Sequence, residues 1–279
     1  MQTYDEPSDL KKQIWEVLKN SMDVALFINK LFEPPEEELQ RITELAISPF
    51  FIRPQDLKLT KEYSQKAITL PEPLKVEAKL GDVIKARRSI RQYSDKPVSL
   101  ETLSTILYYS YGVSSKIEAY GFAMFPLRVV PTTGGLAGVE VCIAANNVEN
   151  LEKGLYHYNP VNHSLCCLFQ GILEGKLLEM ARQGNEFIAE APIVLFLTIM
   201  LSKGIWKYSV RYFRDVLIDV GCIVENVYLV SVGLGLGACA ISGIDYEKAA
   251  RMLKIDNKDE IVILAITCGF PLPLKETEG

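Results

Sequence analysis

Histidine and tryptophan are scarce, with two of each in 279 residues, and basic residues are outnumbered, 30 against 35 acids, for a net charge of −5. His157 and His163 are too isolated, from each other and from the cysteines, to read as zinc ligands, so no metal centre is expected. A chain without a basic excess is a poor general nucleic-acid binder, because that binding needs a cationic surface facing phosphates. The six cysteines, Cys142, Cys166, Cys167, Cys222, Cys239 and Cys268, lack metal spacing and lie mostly in apolar runs, which suits reduced core thiols. No apolar run long enough to span a membrane is free of polar residues. The longest, Val216 to Leu236, carries Asp219, Glu225 and Asn226 and reads as a buried helix, not a membrane span. The opening residues, Met-Gln-Thr-Tyr-Asp-Glu-Pro, contain acids and no apolar core of a signal sequence, so a cytoplasmic protein is expected.

With 48% hydrophobic and 23% charged residues, the composition is that of a folded protein: one large domain, or one domain with an appended segment. Residues 1–80 read as a helical arm and linker, and 81–279 as the main domain. In the arm, Ser8 or Asp9 caps a helix with Leu10, Ile14, Trp15, Leu18, Met22 and Leu26 at helical spacing; Pro34-Pro35 stops it, and a second helix begins at Glu36. In the domain, Asp82 is placed as a helix cap, and Ser99 with Thr102 opens a helix that Gly112 ends. Ala119 to Gly138 reads as a loop. Strands are expected over Val139–Ala145, in a hairpin from Gly154 to Phe169, over Ile193–Met200 and over Ile261–Cys268. Helices are expected from Glu174, through Val232, and from Asp245 to Leu253.

Three clusters carry chemistry. Arg87, Arg88 and Arg91 offer forked donors for phosphate or carboxylate, and Ser89 adds a neutral hydroxyl between them. Pro131-Thr132-Thr133-Gly134-Gly135 places two hydroxyls before two glycines, where backbone can approach a flat ligand closely. Lys207 and Tyr208 are adjacent groups able to take or give a proton. The glycines of Gly233-Leu-Gly-Leu-Gly neither follow a strand nor open a helix, so a Rossmann dinucleotide fold is disfavoured.

The run Arg-Arg-Ser-Ile-Arg-Gln-Tyr from Arg87, followed by Lys96-Pro97-Val98-Ser99 and Leu103-Ser104, resembles the opening motif of the nitroreductase superfamily, and further segments match in order to Pro271. The resemblance implies an α+β sandwich with a central mixed or antiparallel sheet flanked by helices, and a homodimer sharing two FMN sites at its interface. It assigns the flavin's phosphate, ribityl chain and pyrimidine edge to Arg87, Arg88, Ser89 and Arg91. It further implies contacts from Pro131, Thr132, Thr133 and Gly134, backbone contacts from Ala240, Ile241, Ser242 and Gly243, and a phosphate role for Lys275. Arg128, Pro131-Thr-Thr-Gly-Gly, Glu140, Leu151 to Pro160 (with Leu-Tyr-His-Tyr) and Lys207-Tyr208 are similar to the SagB-type branch, the azoline oxidases of peptide natural-product pathways. In that branch thiazoline or oxazoline rings in a peptide or carrier-bound substrate become thiazole or oxazole, and a cyclodehydratase or synthetase works alongside. Lys207 or Tyr208 would then handle the proton. A general NAD(P)H-dependent nitro or quinone reductase and a flavin-storing scaffold subunit are the alternatives.

Overall fold

The computed structural model describes residues 59–272, together with 21–32 and the helical positions 36, 37, 40 and 44. The expected Ser8 or Asp9 cap, the Pro34-Pro35 stop and Lys275 lie outside the described residues. In chain order the elements are β1 (Ala67–Thr69), α1 (Leu80–Ala86), α2 (Leu100–Tyr111), β2 (Val113–Ala119), β3 (Phe122–Arg128), β4 (Val139–Ala145), β5 (Gly154–Asn159) and β6 (Ser164–Gln170). Then follow α3 (Glu174–Met180), β7 (Ile193–Met200), α4 (Ile205–Tyr208), α5 (Arg211–Gly233), β8 (Gly237–Ile241), α6 (Tyr246–Leu253) and β9 (Glu260–Gly269).

Alternation along the strands sends side chains to two faces, and both are buried. Val139, Val141 and Ile143 of β4, with Leu195 and Leu197 of β7, meet Ile106 and Leu107 of α2 and Val216, Val220, Ile223 and Val227 of α5. Cys142, Ala144 and Phe196 point the other way, against Leu177 and Met180 of α3 and Ala250 and Leu253 of α6. The sheet has seven strands in the order β1-β6-β5-β4-β7-β9-β8, and every pairing between neighbours is antiparallel. The α+β sandwich is therefore as expected, with the antiparallel form of the sheet.

Ser99 accepts from Thr102 N, Gly112 ends α2, and Asp245 accepts from Lys248 N at the start of α6, all as read from the sequence. Two local expectations are corrected. Helix α1 begins at Leu80 behind Lys79, and Asp82 sits inside the first turn, where its charge still complements the exposed amides. The segment read as a loop from Ala119 holds instead the turn and second strand of a hairpin, β3 paired with the preceding β2. Its turn, Tyr120-Gly121, has positive φ at both residues, 51° and 78°, the hairpin geometry that Asn-Gly usually announces. With Tyr in place of Asn and a mostly exposed β2, neither the turn signal nor an apolar alternation marked it.

Tyr212, at the start of α5, is wholly buried, and a side chain at Gly204 would collide with its ring while one at Gly138 would meet its hydroxyl. That hydroxyl has no hydrogen-bond partner. An unpaired buried hydroxyl costs about 1–3 kcal/mol. Tyr212→Phe should therefore hold or raise the melting temperature, whereas Gly204→Ala should lower it through an overpacking cost of about 1–3 kcal/mol. Thermal denaturation of the two variants beside the parent checks both signs.

Candidate functional site

The basic segment runs along the edge of β8. Ser89 bridges Ala238, and Ile90 N donates to Ala238 O at 2.9 Å. Gly237 is needed for this approach, because a Cβ there would run into the Ile90 side chain. Tyr228, buried near the end of α5, ties the pieces together. Its hydroxyl lies 3.1 Å from Ser89 Oγ, accepts from Ala240 N at 2.8 Å, and its ring lies 5.1 Å below the Arg87 guanidinium. Arg88 and Arg91 are exposed and Arg87 half-buried. Among the described residues, none of the three is in an ion pair with a carboxylate. Arg88 is turned back on its own chain, donating to Lys85 O at 2.9 Å and Arg87 O at 2.6 Å, and so stands apart from the other two. Burial raises the Cys239 thiol, and the nearby Arg91 charge works against that rise.

The four residues expected at the end of β8 divide. Ala240 joins Tyr228, but the Ile241 side chain is part of the core under α3 and α6. The Ser242 carbonyl accepts from Tyr246 Oη, and the Gly243 carbonyl accepts from Asn185 Nδ2 at 3.1 Å.

The second cluster gathers at the other end of α5. Thr133 donates through its backbone N, 2.8 Å, and its hydroxyl, 3.0 Å, to the carboxylate of Asp219. This clamps a single 3-10 turn, Thr133–Gly135, in which Gly134 takes φ +58°. A Cβ on Gly134 would strike the Tyr208 hydroxyl, so glycine lets α4 and this loop meet. Pro131 and Gly134 are exposed and Thr132 half-buried. Tyr120 Oη donates to Gly134 O at 2.6 Å and accepts from Lys207 Nζ at 2.8 Å. Lys207 and Tyr208 thus adjoin the Thr-Gly loop. The nine residues from Asp219 to Tyr228 separate the two clusters by about 13 Å along the helix.

A lysine acting as base near neutral pH needs its pKa lowered, and the structure shows the reverse. Burial pulls Lys207 down, but the hydrogen bond and electrostatic attraction of the Tyr120 oxygen, and then those of Tyr208, outweigh it and leave the pKa raised. Lys207 is therefore an ammonium at neutral pH. Nor does Arg211 work against this, since it lies 3.5 Å from Asp215, one turn along its own helix.

Tyr120, Asp219 and Tyr228 were missed as site residues. Tyr120 lay in an unrecognised hairpin, Asp219 read only as a break in an apolar run, and Tyr228 read as core. Glu140 and His157, singled out by motif, pair with each other at 2.8 Å on the buried sheet face toward α3 and α6, away from both clusters. Near them Glu260 accepts from Thr198 and is paired with Lys61.

The profile of the nitroreductase family matches residues 84–270. This chain belongs to the nitroreductase family. MJ1384 of Methanocaldococcus jannaschii, whose name places it with the nitroreductases, is 35% identical over 179 residues, 64% of this chain and 86% of its own length. The microcin B17-processing protein McbC of Escherichia coli is 25% identical over 135 residues, 47% of this chain and 50% of McbC. The solved E. coli microcin synthetase McbBCD complex contains a similarly folded chain, at 17% identity and TM-score 0.59, covering 83% of this chain and 87% of that one. A nitroreductase-like structure from Anabaena variabilis matches at 26% identity and TM-score 0.63, over 75% of this chain but only 42% of its own.

For a nitroreductase-family oxidoreductase, the residues present fit FMN. Cations without carboxylate partners beside an exposed hydroxyl suit a phosphate and its sugar-like chain, and a glycine turn held by Asp219 offers backbone to a flat ring. Asp219 itself is raised by burial, an effect that its bonds from Thr133 only partly offset. With protonation easier in the fold than in the unfolded chain, this group supports stability below the usual carboxylate pKa, and the contribution fades as pH rises through the raised value. Asp219→Asn should accordingly melt no lower than the parent at neutral pH and show a flatter acid range. Asp219→Ala, which strands the Thr133 amide, should lose about 1–3 kcal/mol in chemical denaturation.

Proposed function

We propose that this chain is an FMN-dependent dehydrogenase that oxidises a thiazoline or oxazoline ring to thiazole or oxazole in a peptide or carrier-bound intermediate. It would work in the cytoplasm as a homodimer, alongside a cyclodehydratase or synthetase. The observation that carries this reading is the placement of Lys207 and Tyr208 against Gly134 of the Thr-Gly loop, joined through Tyr120. The similarity to McbC, named for microcin B17 processing, supports it.

Bound FMN would supply the two-electron acceptor for the ring hydride, with oxygen as the final oxidant. Arg87, Arg91 and Ser89 would hold its phosphate and ribityl chain, and the Thr133–Gly135 turn would place backbone beside the ring. Tyr208 would take the proton from the other ring carbon as a phenolate, after giving its own proton to solvent. Lys207, held as an ammonium, would balance the negative charge that develops next to it and orient the substrate. The homodimer reading is supported by the outward face of α5, where the apolar Leu217 and Ile218 stay exposed, 37% and 64%.

The 35% identity to MJ1384 favours a second reading, a general NAD(P)H-dependent nitro or quinone reductase. The electron donor separates the two: an azoline peptide should bleach the flavin in a single turnover, and NAD(P)H should do so slowly. Lys207→Ala and Tyr208→Phe should keep FMN but bleach about 10²–10⁴ more slowly. Parent-rate bleaching in both variants would make the pair structural. Replacing Arg87 and Arg91 together by alanine should weaken FMN binding a hundredfold or more, from two charge-assisted contacts of about 1.5–3 kcal/mol each. Fluorescence titration of the apoprotein reads that loss, and light scattering should report a dimer.

A further inference from the structure

We propose that Tyr120, at the tip of the β2–β3 hairpin, is a positioning residue that holds the Lys207 ammonium against the Gly134 loop, and that it thereby sets the pH range in which Lys207 can serve. The catalytic part of this statement rests on the dehydrogenase reading; the coupling between Tyr120 and Lys207 does not.

Tyrosine is a costly residue at φ 51°, where glycine or asparagine would be easier, so its presence calls for a return from the side chain. The side chain provides two contacts. Because its hydroxyl proton goes to Gly134 O at 2.6 Å, only lone pairs remain to face Lys207 Nζ at 2.8 Å. The direction of both hydrogen bonds is thus fixed by the carbonyl, and the ammonium cannot be exchanged for a neutral donor without loss. The ring is held as well. Its centroid lies 5.1 Å from that of Phe125 on β3 and 6.3 Å from that of Trp206 on α4, and the ammonium lies 5.0 Å from it. Tyr120 therefore connects three separate elements, the hairpin, the Thr-Gly turn and α4, at the place where the Lys207 cation meets the loop.

The groups acting on the Lys207 charge are Tyr120 from the hairpin and Tyr208 from its own helix, while Asp215 on α5 is engaged by Arg211. Burial alone would lower the lysine, so Tyr120 is the main counterweight. Removing its hydroxyl should let the pKa fall. If turnover needs the ammonium, activity disappears as pH rises through that pKa, and the alkaline limb moves to lower pH in the variant.

The test is Tyr120→Phe, which keeps the ring between Phe125 and Trp206, with thermal melting as the check that it folds. Apoprotein of the parent and the variant is labelled with trace acetic anhydride across the alkaline range, and modification of Lys207 is read by mass spectrometry relative to the other lysines. In the variant the labelling midpoint should move to lower pH and Lys207 should react several-fold faster below it. An unchanged midpoint in a folded variant overturns the proposal. In parallel, the pH profile of single-turnover bleaching by an azoline peptide is measured on both holoproteins. A parallel shift of its alkaline limb confirms that the positioning matters to the reaction, and a profile that stays in place while labelling shifts overturns that part. Should azoline fail to bleach even the parent, the dehydrogenase reading falls, and the labelling result still decides whether Tyr120 holds Lys207.

Discussion

The packing of α5 on the sheet through Val216, Val220, Ile223 and Val227 fixes everything else of consequence in this chain. A helix of 23 residues is about 34 Å long, and its buried face leaves no freedom of rotation or sliding. Because Asp219 and Tyr228 belong to the same inner side, the Thr-Gly turn and the arginine segment are both registered to one rigid rod. A polar residue inside an apolar helix usually costs stability. Here the two polar side chains are each bonded, one to Thr133 and one to Ala240 and Ser89, and each fixes the position of a loop.

Rigidity from α5 is complemented by close approach at glycines. Gly134 admits the Tyr208 hydroxyl, Gly237 admits Ile90, and Gly138 and Gly204 box the Tyr212 ring. In each case a missing side chain brings two elements together that carry or support the site. The result is a lysine whose surroundings hold its proton and a phenol beside it. A buried lysine without those phenols would tend toward the neutral amine, so the surroundings set the chemistry that the adjacent residues can share.

Much of this was readable from the chain. The mainly apolar runs Val139–Ala145 and Ile193–Met200 mark strands that are buried on both faces, and the caps at Ser99 and Asp245 fall where their side chains find amide donors. The arginines and the Lys-Tyr pair were visible as residue types. What joins them was not. Tyr120 reaches Lys207 across 87 positions and Asp219 reaches Thr133 across 86, separations at which no local pattern operates. The β2–β3 hairpin has no local signal because its first strand mostly faces solvent and its turn uses tyrosine, so neither periodicity nor turn chemistry marks it. The direction of the Lys207 shift was likewise hidden, since it depends on which neighbour reaches the ammonium.

The edge of a sheet is a template for foreign strands unless something covers it. Strand β8 is such an edge, and here the chain at Ser89 and Ile90 covers it, with Ser89 bridging Ala238 and Ile90 N bonded to its carbonyl. The segment that presents the arginines is thus also the guard of the sheet. Changes that pull this segment away from β8 would bare main-chain donors and acceptors at the same moment as they displace Arg87 and Arg91, tying the placement of the arginines to solubility.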